Sequence, residues 1–290
     1  MRVFFFGLGY CAQRLIAREP WIEASGTART AEAVAALRRD GVEAYRFDGV
    51  EAEPELEPAL KKAEAIVVSI PPRDGAGAAL ESFGSAIAGA PALHRIVYYS
   101  TIGVYGDHSG AWVDETSATR TRTARGLARL ADEARWTAAA RARSAEADIL
   151  RLSGIYGPGR NALVNLAHGE ARRIVKPAQV FNRAHVDDIA DLTSLALVRG
   201  LEGQIWNVAD EEPAPPQDVI AYAAALLKLE PPREEPFEGA ALSLMAREFY
   251  ADNKRVSIAK AKVELGFSPA YPTYREGLKA LTEAGEGRGA

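Results

Sequence analysis

The chain carries a glycine-rich turn near its start, and the spacing of that turn is suited to binding phosphate. Gly7-Leu8-Gly9-Tyr10-Cys11-Ala12 separates the apolar run Met1 to Phe6 from Gln13 to Glu19, a segment typical of a helix. In a Gly-x-Gly-x-x-Ala turn, one glycine permits the bend, the next lets the backbone approach a diphosphate, and the small last residue lets helix pack on strand. The N–H groups and the dipole of the helix start can hold the anion. We therefore predict a dinucleotide site at Gly7, Leu8, Gly9, Tyr10 and Cys11, with a plain tight turn as the alternative.

The ends of the next apolar segments carry residues that could select and enclose the nucleotide. About 20 residues past the first glycine, an acid would bind the 2′-hydroxyl of the adenosine ribose, whereas an arginine would accommodate a 2′-phosphate. The chain has Thr27-Ala28-Arg29-Thr30 there, so Arg29 favours NADP over NAD, unless it is a solvated residue that opens a helix. Asp48 could accept from the adenine amino group or cap a helix. Ser69 and Pro71 are expected to wall the cleft.

Strands that alternate with helices must position these residues. The predicted strands are Met1 to Phe6, Ile22 to Thr27, Glu43 to Phe47, Ala65 to Ile70, Leu93 to Thr101, Asp148 to Leu152 and Gln204 to Val208. The predicted helices are Gln13 to Glu19, Ala31 to Asp40, Pro54 to Lys62, Ala78 to Ala88, Thr119 to Ser144, and two that begin at Pro216 and Ser257. This alternation indicates parallel βαβ units with helices on both faces of the sheet. The predicted fold class is α/β, a Rossmann-type doubly wound parallel sheet with a smaller C-terminal substrate lobe.

The composition of the chain changes after Gly154, which suggests that the cofactor domain and the substrate lobe divide there. Prolines become denser and the predicted elements shorter beyond this residue. We expect an NAD(P)-binding Rossmann domain at residues 1–154, with core strands completed by segments around 180–210, and a substrate-side lobe at 155–290. The Gly-rich segment after Glu283 is expected to be frayed.

Composition excludes several classes of protein. The 290 residues are 48% hydrophobic, which is ample for a core, and the formal net charge of −4 provides no global basic field for nucleic acid or an anionic membrane. Cys11 is the single cysteine and cannot form an internal disulfide, which suits a reducing cytoplasm. The Met1 to Phe6 run is too short for a secretion signal. We expect a cytoplasmic protein with a small-molecule substrate and, as a possibility, a homodimer.

Several further signatures, taken together, resemble one known family. They are Gly7-Leu8-Gly9-Tyr10-Cys11-Ala12, Tyr99-Ser100-Thr101-Ile102-Gly103-Val104-Tyr105-Gly106, Leu150-Arg151-Leu152-Ser153-Gly154-Ile155-Tyr156-Gly157-Pro158-Gly159, Arg183-Ala184-His185-Val186-Asp187-Asp188-Ile189-Ala190 and Trp206-Asn207-Val208. In this order the chain resembles an atypical extended short-chain dehydrogenase/reductase, from the family of NAD-dependent epimerases and dehydratases. The resemblance implies NADP or NAD as cofactor.

The resemblance also implies catalytic roles, with one departure. Thr101 matches the Ser or Thr that hydrogen-bonds the substrate oxygen in this family. A Tyr-x-x-x-Lys pair on the next long helix normally supplies a proton-transferring phenol and a lysine that lowers its pKa and holds the nicotinamide ribose. Here Arg125 stands at the tyrosine position and Arg129 at the lysine position. A guanidinium stays protonated, so Arg125 cannot be a general base at neutral pH, while Arg129 is expected to hold the ribose.

The absent phenol leaves the proton-transferring residue open. Tyr105 is the best replacement, because it lies just beyond Thr101 and arginines can tune a phenol; the alternative is that it only forms part of the turn. His108 and Glu115 on the following loop have suitable chemistry, but solvated surface positions explain them equally. Ile102-Gly103 stands where sugar 4,6-dehydratases carry an acid pair, so that reaction is disfavoured.

The substrate lobe offers cations. Arg160 follows Gly157-Pro158-Gly159, and Arg183 ends a short basic stretch that also contains Arg172, Arg173 and Lys176. We predict that Arg160 and Arg183 clamp a phosphate or carboxylate of the substrate, unless the cluster is a solvated face. His185 is expected to order the backbone beside the substrate cleft. The four histidines are well separated, so no metal site is predicted.

Two function hypotheses follow. The first is an NADP-dependent oxidoreductase or epimerase acting on a small polar or anionic metabolite. The second is a catalytically silent NADP-binding regulator or partner protein, which the missing Tyr-x-x-x-Lys pair supports. The retained Thr101 and the expected substrate lobe favour the enzyme.

Overall fold

The alternating apolar segments and helices build a central sheet. The structure is a computed structural model and describes residues 1–72, 77–199 and 202–288. Its strands are β1 (Arg2–Phe6), β2 (Glu23–Ala28), β3 (Glu43–Arg46), β4 (Ala65–Val68), β5 (Arg95–Thr101), β6 (Trp112–Val113), β7 (Glu146–Leu152), β8 (Gly154–Tyr156), β9 (Arg173–Val175), β10 (Arg183–His185), β11 (Ile205–Val208), β12 (Glu234–Pro236) and β13 (Arg255–Val256). Its helices are α1 (Tyr10–Arg18), α2 (Ala31–Arg39), α3 (Leu56–Leu60), α4 (Ala78–Ala88), α5 (Ala124–Arg141), α6 (Ala162–Ala167), α7 (Val186–Val198), α8 (Pro216–Leu227), α9 (Leu244–Ala251) and α10 (Tyr274–Glu283).

The seven-stranded sheet has the order β11-β7-β5-β4-β1-β2-β3. The strand β1 pairs in parallel with both β2 and β4, and the β2–β3 and β4–β5 pairs are parallel as well. The chain order reverses between β1 and β4, so the carboxyl ends of these two strands flank a topological switch point, where open α/β sheets bind ligands. The predicted Rossmann-type doubly wound sheet is confirmed.

Complete burial anchors the two strands at the switch point. Val3 to Phe6 of β1 are 0% exposed, and all of β4 is buried, as expected for strands covered on both faces. Phe6 stacks on Phe83 of α4 with ring centroids 5.8 Å apart, and its centroid lies 6.2 Å from that of Trp136 in α5. Burying each such side chain contributes roughly 1.5–3 kcal/mol. The ends of β1 and β4 therefore lie on a well-packed core.

The chain divides into two compact units. Unit 1 comprises Met1–Val104, Arg122–Arg151 and Ala190–Trp206, and unit 2 comprises Tyr105–Thr121, Leu152–Ile189 and Asn207–Ala290. Unit 2 contains the two-stranded pairs β10-β8, β12-β9 and β13-β6. Its own core includes Tyr156, Leu163 and Leu278. The assignment of residues 1–154 to cofactor and 155–290 to substrate stays a prediction.

Several predicted element boundaries were wrong. The helix expected from Thr119 begins at Ala124, because Thr123 caps it by accepting from the Gly126 N–H. The first helix begins at Tyr10, three residues before the expected start, since the glycine turn is shorter than the sequence suggested. The helix expected from Ser257 begins two residues later, at Ala259, and continues as a π-helical turn, Ala261–Leu265; α10 follows it.

Residues 284–288, which follow α10, are hydrogen-bonded and not frayed as expected, whereas the last two residues of the predicted frayed segment lie outside the described residues. Gly285 and Gly287 adopt left-handed φ values of +95° and +75°. The Glu286 N–H donates to the Leu281 carbonyl at 2.9 Å, which folds the segment back onto the helix.

The described helices include none whose length and apolar character would allow it to span a bilayer.

Candidate functional site

The glycine turn after β1 is held by hydrogen bonds from two neighbouring strands. The Gly7 N–H donates to Thr27 Oγ1 at 2.9 Å, and the Leu8 N–H donates to the Thr27 carbonyl at 2.7 Å. On the other side, Ser69 Oγ donates to the Gly7 carbonyl at 2.7 Å. Gly7 has φ +100°, and a Cβ there would lie 2.5 Å from Ser69 Oγ. Both the backbone conformation and the packing of the protein therefore require glycine at position 7.

Gly9 differs from Gly7, because nothing in the protein requires it to be glycine. Its φ of −86° and ψ of −165° are accessible to any residue. A Cβ at Gly9 would meet no described heavy atom within 4 Å. Gly9 is the N-cap of α1, and among the residues described no side chain caps this helix. The surface above Gly9 therefore has room for a group that approaches the first-turn N–H groups of α1, as an anion does.

A cleft of about 420 Å³ opens above this turn, within unit 1. It brings together the predicted cofactor residues Gly7, Leu8, Gly9, Arg29, Asp48, Ser69 and Pro71. Tyr10 and Cys11 form the first turn of α1 below it, and Cys11 is buried. The remaining lining residues, which the sequence did not single out, are Thr27, Ala28, Ala33, Phe47, Gly49, Ile70 and Ala78. What these residues share is their position, because they lie at or just after the carboxyl ends of β1 to β4 or in the first turn of the next helix.

Arg29 and Asp48 line the cleft just beyond the ends of β2 and β3. Arg29 is exposed, and within the described chain no hydrogen bond or ion pair engages its guanidinium. Asp48 Oδ1 accepts from the N–H groups of Val50 and Glu51 at 3.0 and 2.9 Å, while Oδ2 accepts from Arg46 at 3.0 Å. These bonds lower the pKa of Asp48 to about 2, so its carboxylate is ionised and holds its own loop. Asp48 is the sole acid that lines the cleft in the part of the chain described.

At the end of β5, Thr101 and Arg129 occupy the predicted catalytic positions in unit 1. Thr101 is partly exposed, and its Oγ1 accepts from the Gly103 N–H at 3.1 Å. Arg129 Nη1 donates to Tyr98 Oη at 3.0 Å and to the Tyr99 carbonyl at 2.8 Å, so this side chain is turned towards β5. Arg125, one helical turn earlier, is exposed and has no hydrogen bond among the described residues. The two arginines therefore have different surroundings.

A buried charged group that the sequence analysis missed fixes the orientation of α5. Glu133, four residues after Arg129, accepts from Arg151 Nη2 of β7 at 2.8 Å and from the hydroxyl of Ser100. All three residues are buried. The signal was available, because a charged residue inside the apolar segment Asp148 to Leu152 requires a partner. This group positions Arg129 on the face of α5 that meets β5.

Tyr105 lies in unit 2 and is fully buried. Its hydroxyl donates to Asn207 Oδ1 at 2.7 Å, and Asn207 Nδ2 donates to the Ser257 carbonyl at 3.1 Å. The Asn207 N–H in turn donates to Glu115 Oε1 at 2.7 Å. These surroundings favour packing roles for Tyr105 and Glu115, and the catalytic role of Tyr105 stays a prediction.

The predicted substrate residues also lie in unit 2. Arg183 and His185 are two residues apart on β10 and so point to the same face. Arg183 Nη1 donates to the Phe181 carbonyl at 3.0 Å, and its guanidinium carbon lies 6.0 Å from the Tyr274 ring centroid. His185 is buried against Tyr271, with ring centroids 4.0 Å apart, and its Nδ1 accepts from the Asp187 N–H at 3.2 Å. Arg160 is exposed, and no described contact joins it to Arg183 or His185.

Asp210 is a buried acid beside Arg183, and no motif in the sequence singles it out. It is 2% exposed, and its N–H donates to the Arg183 carbonyl at 2.5 Å. Neither carboxyl oxygen has a hydrogen-bond partner within the described residues. Burial raises the pKa of Asp210 to about 8, against the attraction of Arg183, and burial also lowers the pKa of Arg183. This shift favours the protonated form of the Asp210 carboxyl.

A family model for the NAD-dependent epimerase/dehydratase family matches residues 85–209. Protein YeeZ of Escherichia coli strain K12 is 31% identical over 252 residues, which cover 80% of this chain and 86% of YeeZ. The chain belongs to the NAD-dependent epimerase/dehydratase family.

Solved structures are also similar to this chain. A conserved protein of unknown function from Silicibacter pomeroyi DSS shares 41% identity, with a TM-score of 0.89 over 98% of this chain and 99% of that one. UDP-glucuronic acid 4-epimerase from Bacillus cereus, solved with UDP-glucuronic acid and NAD, has a TM-score of 0.73 at 18% identity, with 97% of each chain covered. At that identity the epimerase shares the fold alone. The predicted membership of the NAD-dependent epimerase/dehydratase family is thus confirmed by the family model and by YeeZ.

Proposed function

We propose that this epimerase/dehydratase family member is an NADP-dependent oxidoreductase or epimerase that acts on a small polar or anionic metabolite. The observation that carries the proposal is the cleft at the switch point, where the open face of Gly9 meets the uncapped start of α1. The residues fit a dinucleotide, because a Cβ at Gly9 would occupy space that the protein itself leaves unfilled. When bound, the nicotinamide would accept or deliver a hydride.

Arg29 supports the phosphorylated cofactor. The strand β2 ends at Ala28, so an acid for the 2′-hydroxyl of the ribose is replaced by a methyl group. Arg29 follows directly, is exposed and lines the cleft, and its planar guanidinium can donate two hydrogen bonds to a phosphate. The charge of Asp48 is engaged by Arg46 and by its own loop, so it does not neutralise Arg29. We propose that Arg29 holds the 2′-phosphate of NADP.

Thr101 and Arg129 are the groups we propose for the reacting end. The Thr101 Oγ1 accepts from Gly103, which leaves its proton to donate to a substrate oxygen. Arg129 uses Nη1 towards Tyr98 and Tyr99, and we propose that its other nitrogens donate to the nicotinamide ribose. A permanent positive charge at this place stabilises an alkoxide or phenolate that forms nearby, although it exchanges no proton itself.

A second candidate is a catalytically silent NADP-binding partner protein. It is favoured by one observation: the positions of the family tyrosine and lysine hold Arg125 and Arg129, neither of which can serve as a general base. The two candidates share the cofactor and differ in chemistry.

One experiment separates the two candidates. Purified protein with NADPH is screened for turnover of sugar nucleotides and carbonyl metabolites, and the variants Thr101→Val and Thr101→Ser are compared. If the protein is an enzyme, wild type turns over a substrate, Thr101→Val lowers the rate about 100-fold because it lacks the hydroxyl, and Thr101→Ser retains the rate because it keeps it. NADP binding should be unchanged in both variants. Absence of turnover in wild type, together with an NADP-dependent change in association with another macromolecule in a pulldown, would support the silent partner instead.

A further inference from the structure

The loop that follows β8 in unit 2 forms a tight turn with an outward N–H group. Gly157 and Arg160 exchange two backbone hydrogen bonds, each of 3.0 Å, across Pro158 and Gly159. Gly159 has φ +71°, and a proline followed by a left-handed glycine is the pattern of a type II turn. In such a turn the N–H of the third residue takes no part in the turn's own hydrogen bonds. The Gly159 N–H is therefore presented to an outside acceptor.

A carboxylate from the segment after α10 accepts this N–H. The Gly159 N–H lies 3.1 Å from both Oε1 and Oε2 of Glu286. Asn161 Nδ2 donates to Glu286 Oε2 at 3.1 Å and to the Gly157 carbonyl at 2.9 Å. Asn161 is buried, and its Oδ1 accepts from the N–H groups of Leu163 and Val164, so its amide has a fixed orientation. Two positioned donors of the loop thus converge on one oxyanion.

The fold holds Glu286 at this place through close packing. A Cβ at Gly277 of α10 would lie 2.0 Å from Tyr156 Oη, so the helix lies directly against the end of β8. After the helix, a Cβ at Gly287 would come within 3.0 Å of side-chain atoms of Leu163 and Leu227. Glycines at 277 and 287 therefore permit the approach that brings the Glu286 carboxylate to the loop.

Arg160 provides the observation that points beyond a structural contact. It belongs to the same turn, is exposed, and makes no hydrogen bond or ion pair through its side chain within residues 1–72, 77–199 and 202–288. Its guanidinium adds a charged donor to the same turn that carries the Gly159 N–H and the Asn161 amide, the two groups that hold the Glu286 carboxylate. Glu286 takes the loop N–H and the amide, and leaves the cation of Arg160 facing solvent.

We propose that the Gly157–Asn161 loop is a receptor for a small oxyanion and that Glu286 is an internal competitor that occupies it. When Glu286 withdraws, the Gly159 N–H, the Asn161 amide and the Arg160 guanidinium bind a phosphate or a carboxylate. The tethered carboxylate acts at a high effective concentration, so it lowers the apparent affinity for a ligand in solution. This inference is independent of the proposed cofactor, because the loop lies in unit 2 and its test uses no nucleotide.

The test compares anion binding by wild type, Glu286→Ala and Glu286→Gln, with inorganic phosphate as the probe and acetate as a second arm. Binding is followed by calorimetry and by the ¹⁵N shifts of the Gly159 amide and the Asn161 side chain. We expect phosphate to bind Glu286→Ala with an affinity about tenfold or more above wild type, and to shift both signals. Glu286→Gln should lie between the two. A response to acetate alone would assign the loop to carboxylates and not to phosphates.

Control variants keep the inference falsifiable. Glu283→Ala removes an exposed acid from the end of the same helix without touching the loop, and should bind phosphate as wild type does. Arg160→Ala, placed in the Glu286→Ala background, should abolish the gained affinity. Equal affinity of wild type and both Glu286 variants, or shifts that bypass Gly159 and Asn161, would overturn the proposal. If Glu286→Ala does not fold, Glu286→Gln decides the result in the same way.

Discussion

The two glycines of the turn after β1 should respond differently to the same substitution. In Gly7→Ala the new methyl group meets Ser69 Oγ at 2.5 Å and Ile70 Cγ2 at 2.9 Å, and the residue must keep φ +100°. Backbone strain of about 1–3 kcal/mol and overpacking of about 1–3 kcal/mol add to a loss of about 2–6 kcal/mol in the free energy of unfolding. The midpoint of thermal unfolding should fall by roughly 4–24 °C.

Gly9→Ala should leave the fold intact and weaken nucleotide binding. Its φ of −86° suits alanine, and the added methyl group meets no described atom within 4 Å. The lower entropy of the unfolded chain favours alanine by about 0.4–1 kcal/mol, while the poorer N-cap costs a similar amount, so stability should change by less than about 1 kcal/mol. The same methyl group would occupy space that the diphosphate needs, and overpacking of about 1–3 kcal/mol corresponds to a loss in NADP affinity of roughly 5- to 150-fold.

Thermal unfolding and isothermal calorimetry with NADP measure the two effects on the same samples. The reasoning requires that the loss of stability falls on position 7 and the loss of binding on position 9. Gly9→Ala that binds NADP as tightly as wild type would refute it. An unfolded Gly9→Ala would refute it as well, because the protein and not a ligand would then require glycine there.

Three further substitutions test other parts of the account. Arg29→Ala should weaken NADP binding by roughly 10- to 100-fold and leave NAD binding unchanged, because one charge-assisted contact to the 2′-phosphate is lost, whereas the exposed Arg39→Ala should change neither affinity in calorimetry. Because burial raises the pKa of Asp210 to about 8, its neutral form stabilises the fold fully below about pH 4, and this stability is lost as pH rises towards about 8. The free energy of unfolding, measured with denaturant, should therefore be a few kcal/mol lower at pH 9 than at pH 5. Asp210→Asn should abolish this difference, and the control Glu230→Gln should keep it. Arg143 donates to the carbonyls of Ile87, Ala88, Ala90 and Leu93, so Arg143→Ala should cost about 2–4 kcal/mol of unfolding free energy, and a loss no larger than that of exposed Arg141→Ala would contradict this role.

Local sequence was sufficient to predict the strand, the turn and the helix at the switch point, because their determinants are adjacent in the chain. The apolar run before Gly7, the spacing to Gly9 and the helix that follows specify a strand, a turn and a helix without distant partners. The position of Arg29 could be predicted for a related reason, since the length of one βαβ step determines where β2 ends. The boundary errors at Thr119 and Ser257 arose where a cap or a π-helical turn, and not apolar periodicity, sets the end of an element.

Long-range contacts were the part that the sequence could not provide. Arg143 lies 50 to 56 residues from the carbonyls of Leu93 and Ile87, and Glu286 lies 127 residues from Gly159. Nothing in either local pattern indicates the partner. The surroundings of Arg129 illustrate the same limit, because its residue type was visible but its turn towards Tyr98 and Tyr99 depends on the buried Glu133–Arg151 pair.

Calorimetric titration of the wild-type protein with NADP and with NAD measures whether the glycine turn after β1 holds a dinucleotide. We expect both nucleotides to bind and NADP to bind about tenfold or more tightly than NAD, because we propose that Arg29 engages the 2′-phosphate. Failure of both nucleotides to associate with the folded protein at millimolar concentration would contradict the claim that the glycine turn after β1 holds a dinucleotide.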